Sequence, residues 1–452
     1  MKEKLSFNQN LLIGSLLFGL FFGAGNLIFP VQMGQEAGNH TLTATIGFLI
    51  TGVGLPILGI VASALSKSES LLDMAGPISS RYSKIFTCLL YLTIGPLFAI
   101  PRTATVAFEV GIHPFVSSGD LKLGLFIFSL IFFIFTIYFS LRPGQILDWI
   151  GKYLTPIFLV LLSVLLIATF VKPMGQVSQY AAQGKYVAQP LFTGLLDGYN
   201  TMDALASLAF AIIIISNIRK LGIKNPNLIA VETCKSGLVS VVGMAVIYGS
   251  LAYMGATSLG SIKRADNGGS ILSMVSNHYF GFVGKVLLAA IVAIACVKTA
   301  IGLITSCSEM FSEMFPKSIP YKKYAVLFTV CSFAIANFGL NSIIKLSLPV
   351  LMFLYPLAIT LIILSLLTPF IHKQNDIYRW TTVLTGIAAF FDFCKALPDP
   401  FVKSEIVIQL VSFAHLYLPG FDYGFGWLLP AFCGFFIGLI IWIIRGKKAS
   451  NL

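Results

Sequence analysis

Almost the whole chain is a succession of apolar runs of bilayer-crossing length, separated by short polar connections. They lie near residues 7–30, 42–65, 84–109, 121–141, 146–171, 193–218, 227–256, 281–307, 324–341, 343–369, 377–396 and 423–445. Most exceed the ~17 residues that cross about 30 Å of hydrocarbon at about 1.5 Å per residue. Composition agrees. Charged residues make up 11% of the 452 positions, against roughly 25% in soluble domains. A soluble chain of this length would need several charged surfaces, and this one lacks the charge to coat them. The 57% apolar share is about 258 residues, close to the roughly 264 that twelve helices of about 22 residues require. The sequence therefore predicts an all-α polytopic membrane protein with 12 transmembrane helices. Residues 405–419 are too short and too polar-flanked for a crossing and are expected to be interfacial or re-entrant.

Charge sets the orientation. Of the 30 Lys and Arg, eighteen fall on the N-terminal side of the expected spans and eight on the other, with Arg102, Lys235, Lys285 and Lys298 inside or at the edges of spans. The positive-inside rule then predicts that both termini are cytoplasmic. The net charge of +12 is scattered in short clusters, with no continuous basic stripe, and reads as topology charge rather than a nucleic-acid surface. The seven cysteines form no CxxC pair and mostly lie in apolar runs, so neither disulfide nor metal site is implied. The first apolar run resembles a signal peptide but lacks an Ala-x-Ala cleavage site, so it is expected to be a mature first helix.

Two spans are interrupted. Gly23-Ala24-Gly25-Asn26 sits inside the first, followed by Pro30, and Asp197-Gly198-Tyr199-Asn200-Thr201-Met202-Asp203 precedes the apolar run of the sixth. Glycine costs a helix about 1 kcal/mol relative to alanine, and asparagine competes for backbone hydrogen bonds. Spans one and six are five crossings apart and so traverse the membrane in opposite senses. Paired discontinuities of this kind point to an inverted-repeat transporter with its site at the midplane. There a broken helix offers bare N–H groups to a carboxylate and bare carbonyls to a cation.

Three motifs carry a resemblance. Phe22-Gly23-Ala24-Gly25-Asn26-Leu27-Ile28-Phe29-Pro30, Gly95-Pro96-Leu97-Phe98-Ala99-Ile100-Pro101-Arg102-Thr103-Ala104 and Gly198-Tyr199-Asn200-Thr201-Met202-Asp203-Ala204 are similar to those of the bacterial branched-chain amino acid:cation symporters. The first also resembles the opening helix of neurotransmitter:sodium symporters. The resemblance covers essentially the whole chain. It implies a leucine-transporter-type fold: a first five-helix repeat over 1–175, a second, inverted one over 190–370, and two accessory helices over 371–452. It implies import of leucine, isoleucine and valine with a cation, commonly sodium, across a bacterial-type cytoplasmic membrane, with no other cofactor and no obligate protein partner.

The resemblance also implies roles. Backbone amides near Gly23, Ala24 and Gly25 would meet the substrate carboxylate. Asn26 and Thr201 would be polar ligands near the substrate or a first cation site, and Tyr199 and Asp203 would flank the second break. Asp203 either attracts the substrate ammonium or caps the helix that follows. The carbonyls of Gly19 and Phe22 would line a second cation site completed by Ala295, Thr299 and the position of Lys298. In the family two adjacent hydroxyl residues stand there, and here the first is a lysine. Lys298 lies roughly 15 Å deep, about ten residues from the cytoplasmic end at 1.5 Å per residue. An uncompensated charge at that depth costs at least ~2.5–3.5 kcal/mol. One expectation is that its ammonium stands in for a sodium ion, held by Thr299 and the first helix's carbonyls, with coupling through protons or one remaining cation; the alternatives are a helix aligned differently with the family or a structural lysine paired with a carboxylate elsewhere. Arg102, also inside a span, is expected to be a gate or substrate-path charge, or one half of a structural ion pair.

Other classes fit less well. No Walker-type loop is present for a primary pump, nothing resembles a channel's selectivity filter, and the five histidines are dispersed, so no enzyme is indicated. A transporter-like sensor, or a symporter of another small neutral amino acid, is the alternative.

Overall fold

Each apolar run folds as a helix, because in hydrocarbon only internal hydrogen bonds satisfy the peptide groups. The computed structural model describes residues 4–68, 70–117, 119–142, 147–371 and 373–449, and no strand occurs among them. The helices are α1 (Phe7–Phe21), α2 (Ala24–Ala37), α3 (41–65), α4 (Ser80–Gly111), α5 (Leu121–Ser140), α6 (Asp148–Val171), α7 (Pro190–Tyr199), α8 (Asp203–Lys220), α9 (Pro226–Ser258), α10 (Gly268–Met314), α11 (Tyr321–Ala336), α12 (Leu340–Leu366), α13 (Asn375–Lys395), α14 (Glu405–Tyr417) and α15 (Leu428–Ala449). The span expected from residue 146 begins just outside the described residues.

Among the described residues eight helical stretches are long and apolar enough to cross a bilayer, or nine if the bent pair α7 and α8 counts as one. Three features separate this number from the twelve expected. The run Gly25–Leu65 is continuous enough in helix to count once at 41 residues. The helix α11 has only 16 residues, and α13 carries Asp376, Arg379, Asp392 and Lys395. The segment expected at the interface is the helix α14, of which only Ala414 is buried.

The breaks come from identifiable residues. The helix α1 ends at Phe22, and Gly23 is extended (φ −115°, ψ −157°) before α2 begins. The Oδ1 of Asn26 accepts from the Gly23 N–H at 3.0 Å, capping the new helix from within. A side chain at Gly23 would come within 2.7 Å of the Thr299 hydroxyl, so α10 packs closely against the break. The second break, 41° between α7 and α8, turns at Met202, which adopts a left-handed conformation (φ 64°). A third interruption was not anticipated. Wide helical turns over Thr93–Leu97 and a non-helical Gly95 bend α4 at Gly95-Pro96. Proline removes a helix hydrogen bond and clashes with the preceding turn, and that dipeptide was the signal.

Around these breaks α1, α2, α4, α8, α9 and α10 form the buried centre, while α13 and α15 pair at the periphery. Small residues set the closest approach, as is common between membrane helices. The helix α2 lies so tightly on α9 that a side chain at Gly255 would collide with the Val31 carbonyl. At the N-terminal end, buried Glu232 accepts from the Leu5 N–H at 3.2 Å and the Asn10 amide at 3.0 Å, and pairs with Lys235 at 2.7 Å, tying α1 to the start of α9. At the opposite end, residues 38–40 hydrogen-bond to the connection around 180–186, through Asn39 N–H to Tyr180 O (2.8 Å) and His40 to Tyr186 O (2.9 Å).

Gly255→Val is expected to destabilise the fold by about 1–3 kcal/mol through overpacking, read as a lowered thermal midpoint in detergent. Gly249→Val, six residues earlier on the same helix and facing open space, should leave the midpoint near wild type.

Candidate functional site

Both mid-span breaks open onto one cavity. It is lined by Leu20, Phe21, Gly23, Gly25 and Asn26 from the first, by Thr201, Met202, Asp203, Ala206 and Phe210 from the second, by Ile94, Ala99, Arg102 and Thr103 from bent α4, and by Thr299 and Leu303 from α10. Its volume is about 30 Å³, room for a water or two at ~10–15 Å³ each, so the site is closed down in this conformation. Its lining combines apolar side chains, Phe21, Ile94, Phe210 and Leu303 among them, with polar ones, Asn26, Arg102, Thr201 and Asp203.

Part of the polar lining belongs to a hydrogen-bonded cluster. The Asn26 amide donates to Asp203 Oδ2 and to the Tyr248 hydroxyl, and Tyr248 in turn donates to Asp203 Oδ2 at 3.1 Å. All three are buried. The Thr201 hydroxyl donates to Gly198 O (2.9 Å) and accepts from the Asp203 N–H (3.3 Å), spanning the break. Of the two roles open for Asp203, helix capping is not the one adopted. Met202 occupies the cap position and the carboxylate turns to Asn26 and Tyr248.

Arg102, 4% exposed, reaches the second break from α4. Its Nη1 donates to Asn200 O at 2.7 Å and its Nη2 to Thr201 O at 3.2 Å. The guanidinium also lies over the Phe29 ring, 5.5 Å from its centroid. A positive group on the bare carbonyls at the end of α7 is placed where the helix dipole favours it. Glu109, seven residues on along α4 and too far from Arg102 for an i,i+4 pair, pairs with His113 (3.1 Å). Beyond Phe29 and Asn200 lies a recess of about 290 Å³ on the face away from the N-terminus, which Glu36, Tyr186, Asp197 and Lys345 also line. The Tyr186 hydroxyl there donates to Asp197. Burial, and then the neighbouring carboxylate, push it well above the usual phenol range.

Lys298 is fully buried on α10. Its ammonium donates to Gly19 O at 3.3 Å and sits among three rings, 4.5 Å from the centroid of Phe158, 5.4 Å from Phe18 and 5.7 Å from Phe22. Of the expected partners, the Gly19 carbonyl accepts from the ammonium and the others do not. Phe22 offers its ring, Ala295 is buried close by in the helix, and Thr299 accepts nothing from Lys298. The Thr299 hydroxyl has no hydrogen-bond partner and faces the cavity beside Gly23. Among the residues singled out from sequence, Gly23, Gly25, Asn26, Arg102, Thr201, Asp203 and Thr299 line the cavity, with the backbone of Ala24 at the start of α2. Gly19, Phe22, Ala295 and Lys298 form a separate cluster behind it. Tyr199 points elsewhere, stacked on Tyr355 with centroids 4.1 Å apart. Tyr248, Phe158 and the apolar walls were not picked out, since nothing in the sequence distinguishes them among 16 tyrosines and 39 phenylalanines.

Residues 6–445 match the family of branched-chain amino acid transport proteins. The chain belongs to that family. It is 50% identical over 451 residues to the branched-chain amino acid permease BrnQ of Lactobacillus delbrueckii subsp. lactis, covering 99% of this chain and 100% of the relative. It is 40% identical over 449 residues to BrnQ of Bacillus subtilis, with 99% and 100% covered. The branched-chain amino acid transport system 2 carrier protein of Pseudomonas aeruginosa is 38% identical over 443 residues, with 97% of each chain covered. Among solved structures the fold is similar to the nucleobase-cation-symport-1 family transporter Mhp1, with a TM-score of 0.63 at 13% identity, covering 97% of this chain and 93% of that one. It is also similar to MhsT in complex with L-phenylalanine, with a TM-score of 0.55 at 14% identity, covering 98% and 99%. The protein is thus a multi-pass membrane transport protein of this family, not an enzyme.

Tyr248→Phe and Asp203→Asn, made singly and together, are expected to couple by about 0.5–3 kcal/mol in chemical unfolding in mixed micelles. Additive effects would show that the hydroxyl–carboxylate contact contributes nothing.

Proposed function

We propose that this protein imports branched-chain amino acids by cation symport across a bacterial-type cytoplasmic membrane, with both termini cytoplasmic. The observation that carries the proposal is the joint one at the breaks. Two interrupted helices share a buried cavity lined by both apolar and polar side chains, in a chain 38–50% identical along its length to permeases and carriers named for these substrates. The reading keeps twelve crossings, with α1–α6 and α7–α12 as inverted repeats and α13 and α15 as accessory helices. The ends of α2 and α8 would meet the substrate: amides at Ala24 and Gly25 its carboxylate, Asp203 its ammonium. Phe21, Ile94, Phe210 and Leu303 would face the branched side chain. A cavity of about 30 Å³ must widen to admit it, and that separation of the half-helices is the occluded-to-open step.

Lys298 is the proposal's point on coupling. Its ammonium lies on the Gly19 carbonyl, where the family resemblance expects a sodium ion, and the three rings around it supply cation–π attraction in place of hydroxyl ligands. A built-in cation there leaves coupling to protons, or to one cation bound elsewhere. A zwitterionic substrate moved with one positive charge gains about 2.3 kcal/mol at 100 mV, roughly fifty-fold accumulation.

Proteoliposomes holding the purified protein should accumulate leucine under an imposed pH gradient without sodium. Lys298→Thr, which restores a hydroxyl, should weaken that proton dependence and create dependence on sodium. Sodium-driven accumulation by the wild type, or an unchanged ion dependence in Lys298→Thr, would return Lys298 to a structural role.

A further inference from the structure

The central cavity has a buried charge of each sign on its wall. Arg102 is 4% exposed and Asp203 is 3% exposed, and both line the same space. Neither takes part in the ion pairs formed among the described residues. Two opposite charges buried this deeply are ordinarily paired, because each is costly alone in a low-dielectric interior. Here each is held by neutral partners instead: Asp203 by Asn26 and Tyr248, Arg102 by the carbonyls of Asn200 and Thr201.

We infer that Arg102 binds the α-carboxylate of the substrate in the cavity it shares with Asp203, so that the protein presents a fixed guanidinium to the acid end of a zwitterion and the Asp203 carboxyl group to its amino end. The inference rests on the amino-acid carrier reading above. A guanidinium has five N–H donors in a planar fork. The carbonyls of Asn200 and Thr201 engage one on each terminal nitrogen, so each keeps a second N–H for a ligand. Those two carbonyls and the Phe29 ring fix the fork's orientation at the cavity wall, a preorganisation that suits a carboxylate. The arrangement makes Arg102 a specificity-determining residue. The carboxylate then finds its counter-charge in the chain itself, and a ligand lacking that carboxylate leaves the guanidinium buried and unanswered.

The test is competition against labelled leucine on purified protein, comparing unlabelled leucine with leucinol, which keeps the ammonium and branched chain but replaces the carboxylate by a hydroxymethyl group. Wild type should prefer leucine by at least about a hundredfold. In Arg102→Gln leucine should weaken by about that factor while leucinol changes little, so the preference falls towards parity. If both ligands weaken together and the preference is retained, Arg102 is only a structural cap and the inference is overturned. Arg102→Lys keeps the charge but not the fork, and should give an intermediate preference; it carries the same comparison if Arg102→Gln yields no folded protein. A wild type that binds no leucine would refute the carrier reading itself. A wild type that binds leucine, with its preference unchanged by both substitutions, would refute the role of Arg102 alone.

Discussion

Hydrocarbon offers no partner to a bare peptide group, yet the chain breaks between α1 and α2 and between α7 and α8, and α4 is bent at Gly95. Every other feature of the centre answers that constraint. Asn26 turns back to accept from the Gly23 N–H, and the Thr201 hydroxyl bridges the second break. A whole arginine is brought in from α4 to serve two carbonyls that no helix turn satisfies. Irregular backbone survives at membrane depth only where protein or a cavity meets its hydrogen-bonding demand. Here it meets both, and together they enclose the central cavity.

Three ionisable side chains lie in that centre, and each is compensated differently. Asp203 is held by donors from α2 and α9, Arg102 by peptide carbonyls and an aromatic face, Lys298 by one carbonyl and three rings. None is paired with another, although direct pairing would be the simplest way to reduce the cost of burial. Held apart from each other, Arg102 and Asp203 both line the central cavity. Lys298 and the rings around it do not line that cavity.

The interruptions of the first and sixth spans were legible because glycine, asparagine and aspartate stand where apolar residues would otherwise continue. Lys298 was legible because a charge in the middle of an apolar run has no ordinary explanation. The bend in α4 was written in Gly95-Pro96 but passed unread, since a glycine-proline step in a membrane helix marks a kink only when its consequences are seen. For Lys298 the family resemblance implied Thr299 and the first helix's carbonyls as acceptors, and the Gly19 carbonyl accepts while Thr299 does not; for Arg102 no ion-pair partner could be named from the sequence. In each case groups remote in sequence meet the charge: the rings of Phe18, Phe22 and Phe158, and the carbonyls of Asn200 and Thr201.

What the sequence determined by itself was the solvent and the grammar of the fold: apolar runs long enough for a bilayer, an asymmetry of positive charge, and two places where a helix cannot continue. These are local properties, fixed by hydropathy and by the intrinsic cost of glycine and proline in a helix. Only the tertiary structure decided which of many chemically identical side chains face the cavity. Tyr248 rather than another tyrosine reaches Asp203, and Phe158 rather than another phenylalanine covers Lys298. Those choices depend on how α4, α9 and α10 close around the breaks, and contacts between elements distant in the chain leave no periodicity in it.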